Sequence, residues 1–363
     1  MGGISMKTKT NPANVGAAVV GLGRGRAHVS SYAQAENCDL IAVCDLDEAK
    51  AKAIAEQYGC DYYTDYKEML KRDDIDLVTI ATPSGMHCEM ARVVAEAGKN
   101  CLCEKPIDVT LDEIDKTVKL FDEKGLKLGC IFQNRLEKAI QLTKEAVASG
   151  RLGKLLVANV TVKWYRTDEY YAHNGGWRGT WRWDGGGSLM NQSVHTIDIL
   201  QWLMGEPKTV SAKYQVANHN IETEDIAVAI VQFKNGAYGT ITGSTATYPG
   251  FGTVIEIHGT KGGILVKDNQ IKSWMIDDGS GDAEKMAAEE KAMIEATSKS
   301  FTGAASDPNA ISNNTTFIQV QDMVNAVKEN RQPVIRGEEG RKAVNLILGI
   351  YESANTGKEV VFD

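Results

Sequence analysis

The sequence predicts two domains: an α/β domain built on a parallel sheet, then an α+β domain built on an open, mostly antiparallel sheet. Between residues 15 and 134, short apolar runs alternate with stretches whose apolar residues recur at helical spacing. This alternation is typical of a parallel sheet covered by helices on both faces. Between residues 209 and 276, six strand-like segments follow one another without a helix, which favours antiparallel pairing. A chain of 363 residues is long enough for two such domains.

Strands and helices alternate along the first predicted domain, residues 15–134. Each helical stretch has a glycine near its end, which is a common helix stop. Five apolar runs are predicted to be strands: 15–23, 40–45, 77–83, 100–106 and 126–132. The preceding residues, 1–14, lack the apolar middle of a signal peptide, and we expect them to form a disordered leader.

The second predicted domain, residues 135–363, serves substrate binding and oligomerisation. Its expected elements are a strand at 154–166, a helix at 188–205, the six strands, a partly helical insertion at 277–314, helices at 316–329 and 338–355, and a strand at 359–363. These helices can cover only one face of the sheet. The other face is expected to carry Val160, Val162, Trp164 and Ile230 or their alternating neighbours. An apolar face of that size predicts a homodimer or homotetramer.

Composition excludes several classes of partner. The formal net charge of −8 argues against a nucleic-acid partner, because binding to a phosphate backbone requires a basic surface. No apolar run approaches the roughly 20 residues of a membrane span, so we expect no membrane partner. Seven cysteines lie before residue 131 without a CxxC pair, which favours free thiols and a reducing, cytoplasmic compartment. We expect Cys101 and Cys103 to face opposite sides of one strand, and we expect no metal site.

A glycine-rich loop joins the first strand to the following helix. The run VGAAVVG leads directly into six residues that we expect to bind a dinucleotide: Gly21, Leu22, Gly23, Arg24, Gly25 and Arg26. The first glycine permits a tight turn, and the second lets the backbone approach a pyrophosphate bound at the helix N-terminus. Arg26 stands where the usual pattern has its third small residue. The alternative is a purely structural glycine turn.

An acidic residue ends the second strand. The carboxylate of Asp45 is placed to bind both hydroxyls of an adenosine ribose. Asp47 lies nearby, and no basic residue follows before Lys50, so a 2′-phosphate would meet repulsion. This pattern predicts NAD rather than NADP as the cofactor. The alternative is that Asp45 only caps the next helix.

Two more strand ends border the crevice in which such cofactors bind. Residues after the first are expected to line the cofactor: Thr82, Pro83, Ser84 and His87. For His87 the alternative is a helix cap or a packing role. The second end carries Lys105 before Pro106, where the restricted, or cis, backbone would help fix the lysine side chain. Lys105 is expected to point toward the nicotinamide; the alternative is a surface lysine.

A helix of the second domain carries a candidate base. Asn191 and His195 are four residues apart, so they share one face of a helix with mostly apolar flanks. A neutral histidine can accept a proton from an alcohol as hydride leaves the same carbon. The alternative is a histidine whose hydrogen bonds are satisfied in the core. Candidate substrate contacts, or else a polar sheet edge or subunit interface, are Arg135, Lys163, Tyr165, Arg166, Tyr171, Arg178 and Arg182.

These motifs together resemble the glucose–fructose oxidoreductase / inositol dehydrogenase / rhizopine-catabolism (Gfo/Idh/MocA) family. The similar segments are GLGRGRAH (21–28), Asp45, ATPSGMH (81–87), EKP (104–106), DGGGSLMNQSVHTIDILQWLMG (184–205) and the tail at 340–362. The resemblance implies a Rossmann domain that binds NAD, followed by the open sheet domain. Residues 164–192 resemble the members that oxidise UDP-N-acetyl-glucosaminuronate at its 3-hydroxyl.

The resemblance also implies roles for single residues. Lys105 corresponds to the family's active-site lysine and His195 to its acid/base histidine. Asn191 stands where many polyol-oxidising members have Asp, so it would orient the substrate or His195 without relaying a proton. Trp177 and Arg178 match a pair that approaches the cofactor, and Glu104, Lys105 and Gln133 complete the expected cofactor contacts. The expected substrate contacts are Lys105, Tyr165, Arg166, Arg178, Asn191 and His195.

The sequence therefore predicts an NAD-dependent dehydrogenase that acts on a carbohydrate. The expected reaction is oxidation of a secondary hydroxyl, at C3, of a sugar, glycoside, nucleotide sugar or cyclitol. One alternative is a lyase or glycosidase that retains NAD and oxidises the 3-hydroxyl only transiently. The other is an NAD-binding sensor without turnover.

Overall fold

The computed structural model of the protein describes residues 6–298 and 314–362. The chain divides into two compact units: the first comprises Met1–Gln133 and Asn313–Arg341, and the second comprises Asn134–Ser312 and Lys342–Asp363. The division near residue 134 agrees with the sequence prediction. Residues 314–341 were expected in the second domain, but they belong to the first unit. The reason is that Val320, Met323 and Val324 share an apolar core with Val19 and Val29.

A six-stranded parallel sheet forms the first unit and confirms the predicted fold class. Its strands lie in the order β3-β2-β1-β4-β5-β6, so β1 pairs with both β2 and β4. The strands are β1 (Val15–Val20), β2 (Cys38–Cys44), β3 (Asp61–Tyr63), β4 (Leu77–Ile80), β5 (Asn100–Cys103) and β6 (Leu128–Cys130). The helices are α1 (Arg26–Gln34), α2 (Glu48–Tyr58), α3 (Tyr66–Met69), α4 (His87–Glu96) and α5 (Leu111–Lys124). The short β3 was not among the predicted strands, because its three residues form no apolar run.

The segment before β1 is held against the sheet by hydrogen bonds. The Thr10 hydroxyl donates to Asp39 at 2.7 Å, and the ammonium of Lys9 lies 2.5 Å from the Asp76 carboxylate. The expectation of a disordered leader therefore does not hold for residues 6–14, because these charged and polar groups find partners at the sheet edge. Residues 1–5 of that predicted leader lie outside the described residues.

The second unit is built on an eight-stranded sheet in the order β13-β12-β11-β7-β10-β9-β8-β14. All pairs are antiparallel except β7 with β10, which confirms the predicted mostly antiparallel sheet. The strands are β7 (Leu155–Lys163), β8 (Pro207–Gln215), β9 (Ile226–Phe233), β10 (Tyr238–Ser244), β11 (Gly252–Gly259), β12 (Gly262–Lys267), β13 (Gln270–Ile276) and β14 (Val360–Val361). The α-helices from residue 134 onward are α6 (Lys138–Ala148), α7 (Asp168–Ala172), α8 (Val194–Met204), α9 (Ala283–Thr297), α10 (Asn314–Lys328) and α11 (Gly337–Thr356). A π-helical turn spans Ser188–Ser193, and 3₁₀ turns span Ser84–Met86, Gln133–Leu136 and His173–Gly175.

The two faces of the second sheet differ in burial. On one face, Val160 and Val162 of β7 are buried and α8 packs against this strand. On the other face, Val228 and Ile230 of β9 are 49% and 57% exposed. They pair across the ladder with Thr242 and Thr240 of β10. Exposed apolar side chains at alternating positions leave this face of the sheet uncovered in a single chain.

Within residues 277–298 of the predicted insertion, the chain forms the helix α9. Residues 299–313 of the predicted insertion lie outside the described residues. The expectation that Cys101 and Cys103 face opposite sides was wrong, because residues i and i+2 of a strand share a face, and their sulfurs are 3.6 Å apart. All seven cysteines are free thiols.

None of the helices in the described ranges combines the length and hydropathy of a membrane-spanning segment.

Candidate active site

The loop between β1 and α1 has the shape of a pyrophosphate site. Gly21 has a φ of +88°, and a Cβ there would lie 2.5 Å from the carbonyl oxygen of Ala81. A Cβ on Gly25 would overlap the carbonyl oxygen of Gly21, so Gly25 supplies the close packing that the usual pattern gives to its third glycine. Gly23, in contrast, is exposed, and a Cβ there would meet nothing within 4 Å. The backbone at Gly23 is therefore open to an anion at the start of α1.

The carboxylate of Asp45 lies beside this loop. It accepts a hydrogen bond from the backbone nitrogen of Leu22 at 2.7 Å, so that N–H group is not available to a cofactor. Asp47, and not Asp45, caps α2 by accepting from the Lys50 nitrogen at 3.1 Å. The alternative reading of Asp45 as a helix cap is therefore wrong. Arg24 is half-buried and Arg26 is exposed at the start of α1.

His87 does not fit the role of a cofactor ligand. Its ring is 1% exposed, with Nδ1 2.7 Å from the Pro106 carbonyl oxygen and Nε2 2.8 Å from that of Thr82. Both ring nitrogens are thus engaged inside the protein, and the packing role is the correct one. Beside it, Thr82 and Pro83 are half-buried and Ser84 is buried.

Glu104 is buried beside the candidate lysine. Its carboxylate accepts from Nε2 of His28 at 2.8 Å and from the backbone nitrogen of Lys105 at 3.0 Å, and Nε of Arg24 lies 3.7 Å away. Burial alone would raise the pKa of Glu104, but the hydrogen bond from His28 and the charges of His28, Arg24 and Lys105 hold that pKa well below its usual range. Both oxygens of this carboxylate thus have partners within the protein, and the contact between Glu104 and the cofactor stays a prediction.

Lys105 itself is half-buried, and its peptide bond to Pro106 is cis. Gln133 is 4% exposed, and its side-chain oxygen has no hydrogen-bond partner among the described residues. A buried, unpartnered acceptor is costly unless a ligand satisfies it. Together with the open backbone at Gly23, this orphaned oxygen fits a site built for a bound dinucleotide.

The candidate base lies where a mostly buried helix of the second unit changes its winding. The single helix predicted over 188–205 is a π-helical turn followed by α8. Such turns are frequent at functional sites. His195 is half-buried, whereas its neighbours Val194 and Thr196 are buried. His195 thus belongs to the half-buried face of this segment, together with Asn191, Gln192 and Trp202.

A buried ion pair anchors α8 behind His195. Arg135 donates from Nε and a terminal nitrogen to the two oxygens of Asp198, at 2.7 and 2.6 Å. Both side chains are buried, so the expected substrate contact by Arg135 is wrong and its guanidinium instead fixes the helix. Tyr171 is also buried, with its hydroxyl 2.7 Å from that of Thr245, and it belongs to the core rather than to a binding surface.

Asn191 is held at both ends of its amide. Its nitrogen donates to Asp184 at 2.5 Å, and its oxygen accepts from the side-chain nitrogen of Gln192 at 2.6 Å. The same Gln192 nitrogen lies 2.7 Å from the hydroxyl of Tyr170. This network fixes the orientation of the Asn191 amide. A fixed amide suits a residue that orients neighbouring groups and does not relay a proton.

Two arginines flank the ring of Tyr170. The guanidinium carbons of Arg166 and Arg178 lie 5.4 and 4.6 Å from its centroid. Arg166 is buried, donates to Gln192 at 3.1 Å, and has its pKa lowered by burial. Arg178 is half-buried and also stacks on Trp177, 5.0 Å from that ring. We call Arg166, Tyr170, Trp177, Arg178 and Gln192 the arginine–aromatic cluster.

The remaining predicted contacts have different surroundings. Tyr165 is half-buried and packs edge-on against Tyr248, with 5.1 Å between ring centroids. Lys163 is half-buried at the end of β7, and Arg182 is exposed over the ring of Trp183. In the described ranges, no group of three or more His, Cys, Asp and Glu side chains is arranged to hold a metal ion.

Sequence reasoning missed two buried carboxylates that support the π-helical turn. Asp184 accepts from Asn191 and from the backbone nitrogen of Gly179. Glu224, fully buried, accepts from the backbone nitrogens of Gly187 and Leu189 at 3.0 and 2.7 Å and from the Tyr351 hydroxyl at 3.0 Å. Burial raises the pKa of Glu224. The acidic residue before the glycine run was a signal for Asp184, whereas Glu224 gave none, because its partners are distant in sequence.

The fold and the glycine loop define an NAD-binding oxidoreductase with an attached open-sheet domain. Residues 15–132 match the model of the oxidoreductase family with an NAD-binding Rossmann fold, and residues 140–265 match the Gfo/Idh/MocA C-terminal domain. The chain belongs to the Gfo/Idh/MocA family, which confirms the resemblance drawn from its motifs, NAD as its cofactor and its class as an NAD-dependent oxidoreductase.

Solved structures and characterised relatives are similar over most of the chain. The WlbA dehydrogenase from Chromobacterium violaceum, in complex with NADH and UDP-GlcNAcA, is 31% identical with a TM-score of 0.84, covering 99% of each chain. The WlbA dehydrogenase from Bordetella pertussis, in the same kind of complex, is 29% identical with a TM-score of 0.83, covering 96% of this chain and 99% of the other. Inositol 2-dehydrogenase from Rhizobium meliloti is 28% identical over 72% of this chain and 78% of its own length.

Proposed function

We propose that this protein is an NAD-dependent dehydrogenase that oxidises a secondary hydroxyl, at C3, of a negatively charged nucleotide sugar. The arginine–aromatic cluster carries this choice of substrate, because two guanidinium groups beside one tyrosine ring favour an anionic group such as a carboxylate or phosphate. The similarity to two dehydrogenases crystallised with UDP-GlcNAcA supports the same class. Neutral glycosides and cyclitols belong to the wider class of substrates predicted from the sequence, and they are tested in the same substrate panel.

The proposed chemistry assigns Lys105 and His195 to the same substrate oxygen. His195 in its neutral form accepts the hydroxyl proton. Lys105 donates a hydrogen bond to that oxygen and stabilises the negative charge that develops on it. Asn191, held by Asp184 and Gln192, orients its neighbours. Bound NAD⁺, held by the loop at residues 21–26 and by Asp45, supplies the hydride acceptor.

A substrate panel tests this function. Purified protein and NAD⁺ are incubated with UDP-GlcNAcA, a UDP-sugar that lacks the carboxylate, myo-inositol and a simple glycoside, and NADH absorbance and product mass are followed. We expect stoichiometric NADH and a product lighter by two hydrogen atoms with UDP-GlcNAcA. A product lighter by water, or a cleaved glycoside, without net NADH would establish the lyase or glycosidase instead. NAD(H) binding without turnover of any compound would favour the sensor.

We also propose that a second copy of the chain covers the exposed face of the eight-stranded sheet, giving a homodimer or homotetramer. The exposed apolar residues of this face support a sheet-to-sheet interface: Val228, Ile230, Tyr238 and Met275. The seven free cysteines support a reducing, cytoplasmic location.

A further inference from the structure

We propose that two buried histidines, His28 and His87, position Lys105 by holding the chain on either side of it. We call this pair the histidine clamp. The inference rests on the proposed function, because it concerns how Lys105 is presented to the substrate. Neither histidine touches solvent, with 0% and 1% of their surfaces exposed, so neither is placed to meet the substrate itself.

His28 acts on the residue before Lys105. It lies in α1, and its Nε2 is 2.8 Å from one carboxylate oxygen of Glu104. The other oxygen of that carboxylate accepts the backbone N–H of Lys105 at 3.0 Å. The chain of contacts therefore runs from α1 through a buried carboxylate to the Lys105 backbone. Hydrogen bonds to an ionised carboxylate are stronger than those between neutral groups, so Glu104 links α1 firmly to the Lys105 backbone.

His87 acts on the residue after Lys105. It begins α4, and its ring connects the carbonyl oxygen of Thr82, beyond the end of β4, with that of Pro106. Carbonyl oxygens only accept, so the ring donates a hydrogen bond to at least one of them while lying within hydrogen-bond distance of both. The ring thus ties the peptide after Lys105 to a second strand end.

Holding both neighbours matters because lysine has a long, flexible side chain. Its four-carbon stem is flexible, so the position of its backbone largely sets where its ammonium group can reach. Lys105 follows β5 and lies outside the regular strand, so contacts other than the sheet hydrogen bonds must fix its backbone. A displacement of about 1 Å of a catalytic group can cost up to 10²-fold in rate.

The test compares clamp variants with a matched control. His28→Gln and His87→Gln each keep one neutral donor, whereas His28→Leu and His87→Leu keep none. Tyr32→Phe is the control, because Tyr32 also lies in α1 and its buried hydroxyl bonds the Thr79 hydroxyl of β4 at 2.7 Å without flanking Lys105. If the leucine variants fail to fold, the glutamine variants give the answer.

We expect kcat to fall roughly 10- to 100-fold in the clamp variants, with glutamine milder than leucine and NADH affinity unchanged. Tyr32→Phe should lower the melting temperature but leave kcat unchanged. In a Lys105→Met background the clamp substitutions should cause no further loss, because they act through that lysine. Backbone hydrogen exchange of the peptide containing Lys105 should become faster in the clamp variants only.

Two results would overturn the clamp. One is that a clamp variant loses no more kcat than Tyr32→Phe does when both are destabilised to the same extent. The other is an undiminished loss when His87→Gln is added to Lys105→Met. A failure of the proposed function would look different. Lys105→Met would then have the same kcat as the unaltered protein, while the peptide containing Lys105 would still exchange faster in the clamp variants.

Discussion

The carboxylate of Asp45 accepts a hydrogen bond from the backbone nitrogen of Leu22 at 2.7 Å, while its other oxygen lies 3.5 Å from the ammonium of Lys50. Asp45 therefore links the end of β2 to the glycine loop, in addition to its proposed contact with the ribose. Lys50 partly neutralises the charge that would repel a 2′-phosphate. The preference for NAD(H) over NADP(H) thus depends on both Asp45 and Lys50.

We predict that the protein binds NAD(H) more tightly than NADP(H), and that Asp45→Ser narrows the difference. The substitution removes the ribose contact, the repulsion and the support of Leu22, so NADH affinity should fall about tenfold. Fluorescence titration with both cofactors measures this. Asp47→Asn, which keeps the α2 cap, is the control and should change the ratio little. Equal or tighter binding of NADP(H) by the unaltered protein would refute the prediction.

We predict that Lys105→Met and His195→Ala each lower kcat by about 10²–10⁴-fold, because general acid–base help is typically worth that much. NADH affinity should change little, since we propose that residues 21–26 and Asp45 make the main contacts with the dinucleotide. The double variant should lose less than the product of the single losses, because both groups act on one oxygen. If the loss of kcat in the double variant equalled the product of the two single losses, the two groups would not act on a shared oxygen. Full activity of His195→Ala would show that His195 only packs in the core.

We predict that Arg178→Gln raises KM for UDP-GlcNAcA about tenfold or more and affects a neutral sugar much less, because a charge-assisted contact is lost. Initial rates over a range of substrate concentrations measure the effect. Arg151→Gln is the matched control: Arg151 also lies over a tryptophan, 5.9 Å from the Trp274 ring, but is paired with Glu289. Equal effects on both substrates would argue against anion recognition by Arg178.

We predict that Glu104→Gln lowers the free energy of unfolding at pH 7 by about 1–3 kcal/mol. The folded-state pKa of Glu104 lies below its unfolded value of about 4.3, so the stabilisation is complete above that value and is lost as pH falls through the folded pKa. The difference between the two proteins should therefore shrink in acid. Urea denaturation at pH 7 and at a series of pH values extending well below the unfolded pKa measures it.

A surface carboxylate provides the comparison for that experiment. Glu113 pairs with Arg92 near the surface, and the hydrogen bond from Arg92 lowers its pKa. Glu113→Gln should cost only about 0.2–1 kcal/mol, since water screens the pair. A Glu104→Gln protein as stable as the Glu113→Gln protein at every pH would show that the buried pair contributes no more than the surface pair.

We predict that Ile230→Glu converts a dimer or tetramer into a monomer, because a carboxylate at the centre of a sheet interface would be buried without a partner. Light scattering at micromolar concentration measures the mass. Val334→Glu is the control, since Val334 is 66% exposed and belongs to the first unit. A monomeric unaltered protein would refute the proposed interface.

The sequence by itself determined the class of fold and the positions of the main candidates. Strand–helix alternation and glycine spacing placed the loop at residues 21–26, because turns that need positive φ or close backbone approach demand glycine locally. Hydrophobic periodicity predicted six strands between residues 209 and 276, and they correspond to β8–β13. The positions of Asp45 and Lys105 just after strand ends followed from the same periodicity, which depends only on neighbours along the chain.

Only the tertiary structure decided which polar groups are already occupied. His87, Glu104 and Arg135 all carry chemistry suited to a site, yet each is buried and engaged with a residue or backbone group inside its own unit. Residues 314–328 joined the first unit because their apolar face fits the core beside α1. Such partners are fixed by packing between segments far apart in sequence, so a local pattern shows that a group can act but not whether the fold leaves it available.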